Sequence, residues 1–148
     1  MKSQSGFTIL ELTVAVAVLL LAASVIFLGT RVDYRRGLQN AALVLQADMR
    51  YAQRRAITEG QRVGIQFCAV HNRYSVITQN PLYHHRFVYF PYGVQIYSYY
   101  LLRNRFMYLP RGTIERAGNV ILRNGQYTIR ITTTVGGGQA VLHPIMSD

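Results

Sequence analysis

The chain is poor in cysteine and in acidic side chains. Cys68 is the only cysteine among 148 residues, which excludes an intrachain disulfide and any CxxC metal or redox motif. Within 62–70 it alternates away from Val63, Ile65 and Phe67, so it reads as a packed or half-buried thiol, with an intermolecular bridge as the alternative. The six acids, Glu11, Asp33, Asp48, Glu59, Glu115 and Asp148, are scattered, and no close pair suggests general acid–base work. No Ser/His/Asp or Cys/His spacing stands out. Adjacent His84 and His85 would point to opposite faces of a strand, which argues against a shared metal even with His71 and His143 added. Gly136-Gly137-Gly138 lacks the Lys-Ser/Thr of a phosphate loop and reads as a hairpin turn. Together these absences point to a protein that is not an enzyme and carries no metal or other cofactor.

What is abundant is arginine. Sixteen Lys plus Arg give a formal net charge of +10. Apart from Lys2 all are arginines, beginning at Arg31. Such a balance favours nucleic acid, anionic lipid headgroups or acidic proteins as partners, or marks a basic protein that is merely soluble. Half of the residues are apolar, enough for one modest core and too many for a disordered tail.

From Phe7 to Leu28 the only charge is Glu11. As a helix this run covers about 33 Å, enough for a bilayer core. A secretory signal would be shorter, with its small-residue site beyond the apolar run; Ala22-Ala23-Ser24 lies inside it. A carboxylate in such a span costs about 2.5–3.5 kcal/mol unless it has a partner. Cleavage after Gly6 would give Phe7 a free, largely protonated amine one helical turn from Glu11. That amine could compensate Glu11 in its own chain or on a neighbouring helix; the alternative is Glu11 snorkelling to the headgroups. Counting Lys2 against Arg31, Arg35 and Arg36 by itself favours an orientation with the N-terminus outside the cytoplasm.

The segment Lys2-Ser3-Gln4-Ser5-Gly6, then Phe7-Thr8-Ile9-Leu10-Glu11-Leu12, resembles the prepilin leader and methylation motif of type IV pilins and pseudopilins. The resemblance implies cleavage between Gly6 and Phe7 by a prepilin peptidase, N-methylation of Phe7, and pairing of Glu11 with an adjacent subunit's N-terminus during assembly. It also implies other pilin or pseudopilin subunits, an inner-membrane assembly platform and membrane lipid as partners. The leader then lies in the cytoplasm, and a single pass through the bacterial cytoplasmic membrane puts the globular domain outside.

Past Gly29 helical periodicity continues, with Leu38, Ala41 or Ala42, Leu45, Met49, Ala52 and Ala56 at spacings of three and four. Gln39, Gln46, Arg50, Gln53 and Arg54 occupy much of the other side. One helix is therefore expected over 7–59, with Gly60 as its stop and Arg55 paired to Glu59. The segment 45–57, followed by 60–67, is similar to the branch containing the H-type minor pseudopilin of type II secretion, the FimT-like minor pilins and the D-type minor pilins of competence systems. DNA-binding FimT-like pilins carry a C-terminal Gly-Arg-x-x-Arg element; here there are only Arg111-Gly112 and Arg123.

Beyond Gln61 the pattern turns to β. Strands are expected at 62–70 and 73–78 around a His71-Asn72 turn, at 119–123 and 126–135 around Asn124-Gly125, and at 139–143. Between Pro81 and Pro110 the chain reads as irregular, with strands at 94–99 and 106–109. The fold class is α+β, a long N-terminal helix on an antiparallel β-sheet domain. Its segments are 1–6 leader, 7–28 membrane and assembly helix, 29–60 amphipathic helix and 61–148 β-rich domain. Tyr83, Tyr89, Tyr92, Tyr97, Tyr99, Tyr100 and Tyr108 are interleaved with Arg86, Arg103 and Arg105. Such a mixture serves single-strand nucleic-acid binding, a subunit interface or plain packing. Arg86, Arg103, Arg105, Arg111 and Arg123 are the candidates for DNA or subunit contact. The function expected is a minor pilin or pseudopilin serving DNA uptake or type II protein secretion; the alternative is a single-span anchored binding domain that does not assemble.

Overall fold

The computed structural model describes residues 9–79 and 82–147. Its contacts divide the chain into two units, Met1–Asp33 and Tyr34–Asp148. A single α-helix, α1, runs Ile9–Glu59, and Gly60 ends it on left-handed backbone (φ +63°), a conformation open to glycine at little cost. In the first unit Leu10, Leu12, Leu19, Leu20 and Leu21 are all exposed. Among the described residues no helix is long and apolar enough to cross a membrane; the expected span 7–28 lies only in part within them.

The second unit is built around the amphipathic stripe of α1. Leu38, Ala42, Leu45, Met49, Ala52 and Ala56 are fully buried, the positions that the spacing picks out. Full burial of a residue such as Leu45 contributes about 1.5–3 kcal/mol, while the alanines let the sheets approach the helix closely. Two antiparallel sheets supply the opposite wall. The first has the order β3-β2-β1-β5, from β1 (Val63–Cys68), β2 (Arg73–Gln79), β3 (Leu82–Tyr89) and β5 (Arg105–Tyr108). The second has the order β4-β6-β7-β8, from β4 (Val94–Tyr100), β6 (Gly118–Asn124), β7 (Tyr127–Thr133) and β8 (Ala140–Leu142), with β9 (Met146–Ser147) also on β7. Ile65, Tyr74 and Phe106 from one sheet, and Val120, Leu122 and Ile131 from the other, join the helix in one core.

Two turns carry more than connectivity. Asn72, left-handed at φ 45°, ends the β1–β2 turn, accepts from Ile96 N–H and donates to the Val94 carbonyl, so it ties the first sheet to the edge of the second. At the other hairpin Asn124 pairs with Tyr127, so the loop is Gly125-Gln126, one residue later than expected. Only its glycine is left-handed (φ +59°), as in hairpin loops that place Gly first. Asn124 is itself buried and donates to the Tyr34 carbonyl at 3.0 Å.

One expectation needs correcting, and two polar contacts are added to it. The segment after Pro81 is a strand, β3, paired along β2 with a register shift opposite Val76/Ile77. The bulge interrupts the two-residue alternation, and pairing with β2 supplies what the local pattern lacks. Gln46 and Gln53, beside the apolar stripe, reach the sheet domain. They are half-buried and donate to the Ala140 carbonyl and to the Gly112 and Gly137 carbonyls, holding loops of the sheet domain against the helix. Finally, the stripe contains a buried acid, Asp48, which accepts from the Tyr74 hydroxyl at 2.6 Å and pairs with Arg86.

Tyr74 and Tyr108 are each about 1% exposed. Burial raises both phenol pKa values, and for Tyr74 the hydrogen bond to Asp48 raises it further. Both therefore stay neutral in the folded state while the unfolded chain ionises near pH 10. The stability they hold is complete below that pH and is lost as pH rises beyond it. Denaturant midpoints should stay level up to about pH 9 and fall steadily above about pH 10.

Candidate functional site

The motif residues Gly6 and Phe7 lie outside the described residues. Glu11 lies in the first turn of α1, flanked by the exposed Leu10 and Leu12.

The five candidate arginines go to different places. Arg86, on β3, is ion-paired with Asp48, which holds its guanidinium even more firmly protonated. Arg123, at the end of β6, donates to the Gly125 carbonyl at 2.9 Å and lies over the Tyr97 ring at 5.1 Å. Arg111 is exposed in the turn after β5. Only Arg103 and Arg105 converge. They line one cavity of about 170 Å³ with Gln79, Met107, Glu115 and Arg116.

The backbone that delivers Arg103 is unusual. Arg103 (φ 57°, ψ 29°) and Asn104 (φ 57°) are consecutive left-handed residues. Asparagine tolerates this conformation, but for a residue such as arginine strained backbone costs of the order of 1–3 kcal/mol. β5 then alternates, with Phe106 and Tyr108 in the main core and Arg105 and Met107 on the opposite side of the sheet. Arg62 adjoins the cavity, 4.0 Å from Glu115 and 3.4 Å from Gln79 Oε1. No sequence pattern distinguishes Arg116 or Arg62 from the other arginines. Their only local signal is Arg-rich composition, because strand pairing sets their proximity.

The Tyr-rich segment also divides. Tyr108 is core, Tyr99 packs partly buried against it, and Tyr89, Tyr92, Tyr97 and Tyr100 are exposed. On the β2–β3 face Arg73 lies 4.5 Å from the Phe87 ring centroid and donates to the Tyr89 hydroxyl at 2.9 Å. Cys68 is half-buried, its Sγ 3.2 Å from His71 Nδ1.

The family described as Type II transport protein GspH matches residues 41–137, which takes in the packed part of α1 and both sheets through β7. The chain belongs to this pseudopilin family. The prokaryotic N-terminal methylation motif matches residues 1–27. Among solved structures, the minor pseudopilin EpsH from the Type 2 Secretion System of Vibrio cholerae aligns with a TM-score of 0.59 at 13% identity, covering 74% of this chain and 96% of that one. A crystal structure of the same pseudopilin gives 0.61 at 14%, covering 76% and 98%. The type IV minor pilin FimU of Pseudomonas aeruginosa gives 0.61 at 16%, covering 74% and 90%. At these identities the structures establish the pilin-like fold. No curated protein sequence matches the chain. As a pseudopilin the chain is a structural subunit of a type II secretion or type IV pilus system and not an enzyme. Pseudopilins assemble with other pilin subunits, and the methylation motif implies processing by a prepilin peptidase.

Proposed function

We propose that this pseudopilin is cut between Gly6 and Phe7, methylated on the new N-terminus, and built into a short envelope filament as a minor subunit. Before assembly it is anchored by a single pass with its sheet domain outside the cytoplasm. The observation that carries this reading is the coincidence of the methylation motif over 1–27 with the GspH match over 41–137. Within the apolar N-terminal run, the Phe7 ammonium of one subunit offers the charge that Glu11 of its neighbour needs in a lipid environment. The filament serves type II protein secretion, as the family description suggests. The charge of +10 favours a second reading, DNA uptake, in which arginines meet phosphates.

Glu11→Ala tests the assembly step. The variant should remain in the membrane fraction with its first six residues removed, as read by mass spectrometry of the N-terminus, while cross-linking to neighbouring subunits falls at least tenfold. Unchanged incorporation would refute the pairing role of Glu11. Intact Met1 or Lys2 on the wild-type protein would refute processing and favour an anchored binding domain that never assembles.

A further inference from the structure

We infer that the cavity between Arg103, Arg105 and Arg116 is a binding site for a phosphate group. Three arginines line a space of about 170 Å³, large enough to admit several water molecules. Met107, only 3% exposed, also lines it, while Arg103 and Arg116 are exposed and Arg105 is half-buried. Among the described residues no ion pair or side-chain hydrogen bond joins the guanidinium of Arg103, Arg105 or Arg116 to a protein group. The one acid in the cavity, Glu115, faces Arg62. Like charges are thus gathered without a counterion, and Arg103 reaches its place on strained backbone. A chain that holds a costly conformation to add a third positive charge to an uncompensated pair is arranged for an anion.

Charge and shape select the anion. Glu115 is offset by Arg62, so the charges of Arg103, Arg105 and Arg116 favour a multiply charged anion such as a phosphate monoester or inorganic phosphate, at about −1.5 to −2. One carboxylate, or one phosphodiester, brings a single charge, so a diester ligand meets the arginines with adjacent phosphates. The tetrahedral oxygens of phosphate can meet three arginines, two from the junction leading into β5 and Arg116 from the stretch after β5, whereas a planar carboxylate suits one or two forks. This inference stands on the cavity alone and holds whether the filament secretes protein or takes up DNA.

The test uses the full chain in nonionic detergent, with inorganic phosphate titrated at constant ionic strength and followed by phosphorus NMR. Wild-type protein should show saturable broadening of the phosphate signal. The double variant Arg103→Ala/Arg105→Ala should weaken binding at least tenfold, and Arg116→Ala, at an exposed position, should do so with an unchanged circular dichroism spectrum. Arg130→Ala, exposed on β7, should bind as wild type. A single-stranded oligodeoxynucleotide and mixed micelles of phosphatidylglycerol then identify the source. Whichever loses at least tenfold affinity in the Arg116 variant carries the phosphate, and if neither does, the ligand is a free phosphate or small phosphomonoester. Absence of saturable phosphate binding would overturn the inference. So would equal binding by the arginine variants, or tighter binding of an oligoglutamate peptide than of phosphate.

Discussion

Gly64→Ala is expected to destabilise the sheet domain by about 3 kcal/mol, at the upper end of overpacking costs. Gly64 lies in β1 between Ile77 of β2 and Met107 of β5. A Cβ there would stand 2.1 Å from the Phe106 carbonyl oxygen and 2.5 Å from Met107 Sδ. The thioether can swing aside, but the carbonyl belongs to the strand paired with β1 and can retreat only if that pairing opens. β5 also carries Arg105, so the variant should lose phosphate affinity along with stability. Urea denaturation of the 34–148 unit, which contains the whole core, reads the first effect. A midpoint within error of wild type would mean that β5 shifts freely.

The second large effect falls on Asp48. Asp48→Ala should cost about 2–3 kcal/mol, because the Tyr74 hydroxyl, buried and raised in pKa, loses its only carboxylate acceptor. The cost stays below the 3–5 kcal/mol typical of breaking a buried pair, because the orphaned cation, Arg86, has a side chain 56% exposed and remains hydrated. Asp48→Asn keeps an acceptor for Tyr74 and should lose about half as much. Arg86→Ala should cost more than the few tenths of a kcal/mol usual at a surface, since it leaves the carboxylate without its cation. A double-mutant cycle between Asp48 and Arg86 should give a coupling of about 1–2 kcal/mol. Zero coupling would show that the ion pair contributes nothing, releasing Arg86 for contact with another molecule.

The pairing of Asp48 with Tyr74 and Arg86 is not visible in any local stretch of the sequence. The helix was legible because its apolar residues repeat every three or four positions, and that period is a local property. The hairpins were legible because Asn72 and Gly125 advertise left-handed turns. Asp48 gave no local sign that it was inside, since its partners lie 26 and 38 residues away. β3 was hidden because a bulge breaks its alternation and β2 organises it from outside. The arginine cavity was half visible. Arg103 and Arg105 are neighbours in sequence, while Arg116 reaches them only through the path of the chain after β5. The division of the strands into two sheets was not legible either, because neither period nor turn chemistry says which strand pairs with which.

Asn124 has a chemical consequence of its own. An asparagine followed by glycine is the sequence most open to spontaneous deamidation, since an unhindered backbone nitrogen can attack the side-chain amide. In the native state that amide is occupied with the Tyr34 carbonyl and the residue is held in a paired strand. Reaction therefore waits for opening of the hairpin, and the fraction of molecules carrying isoaspartate at this position would report the time that the population spends with the hairpin open.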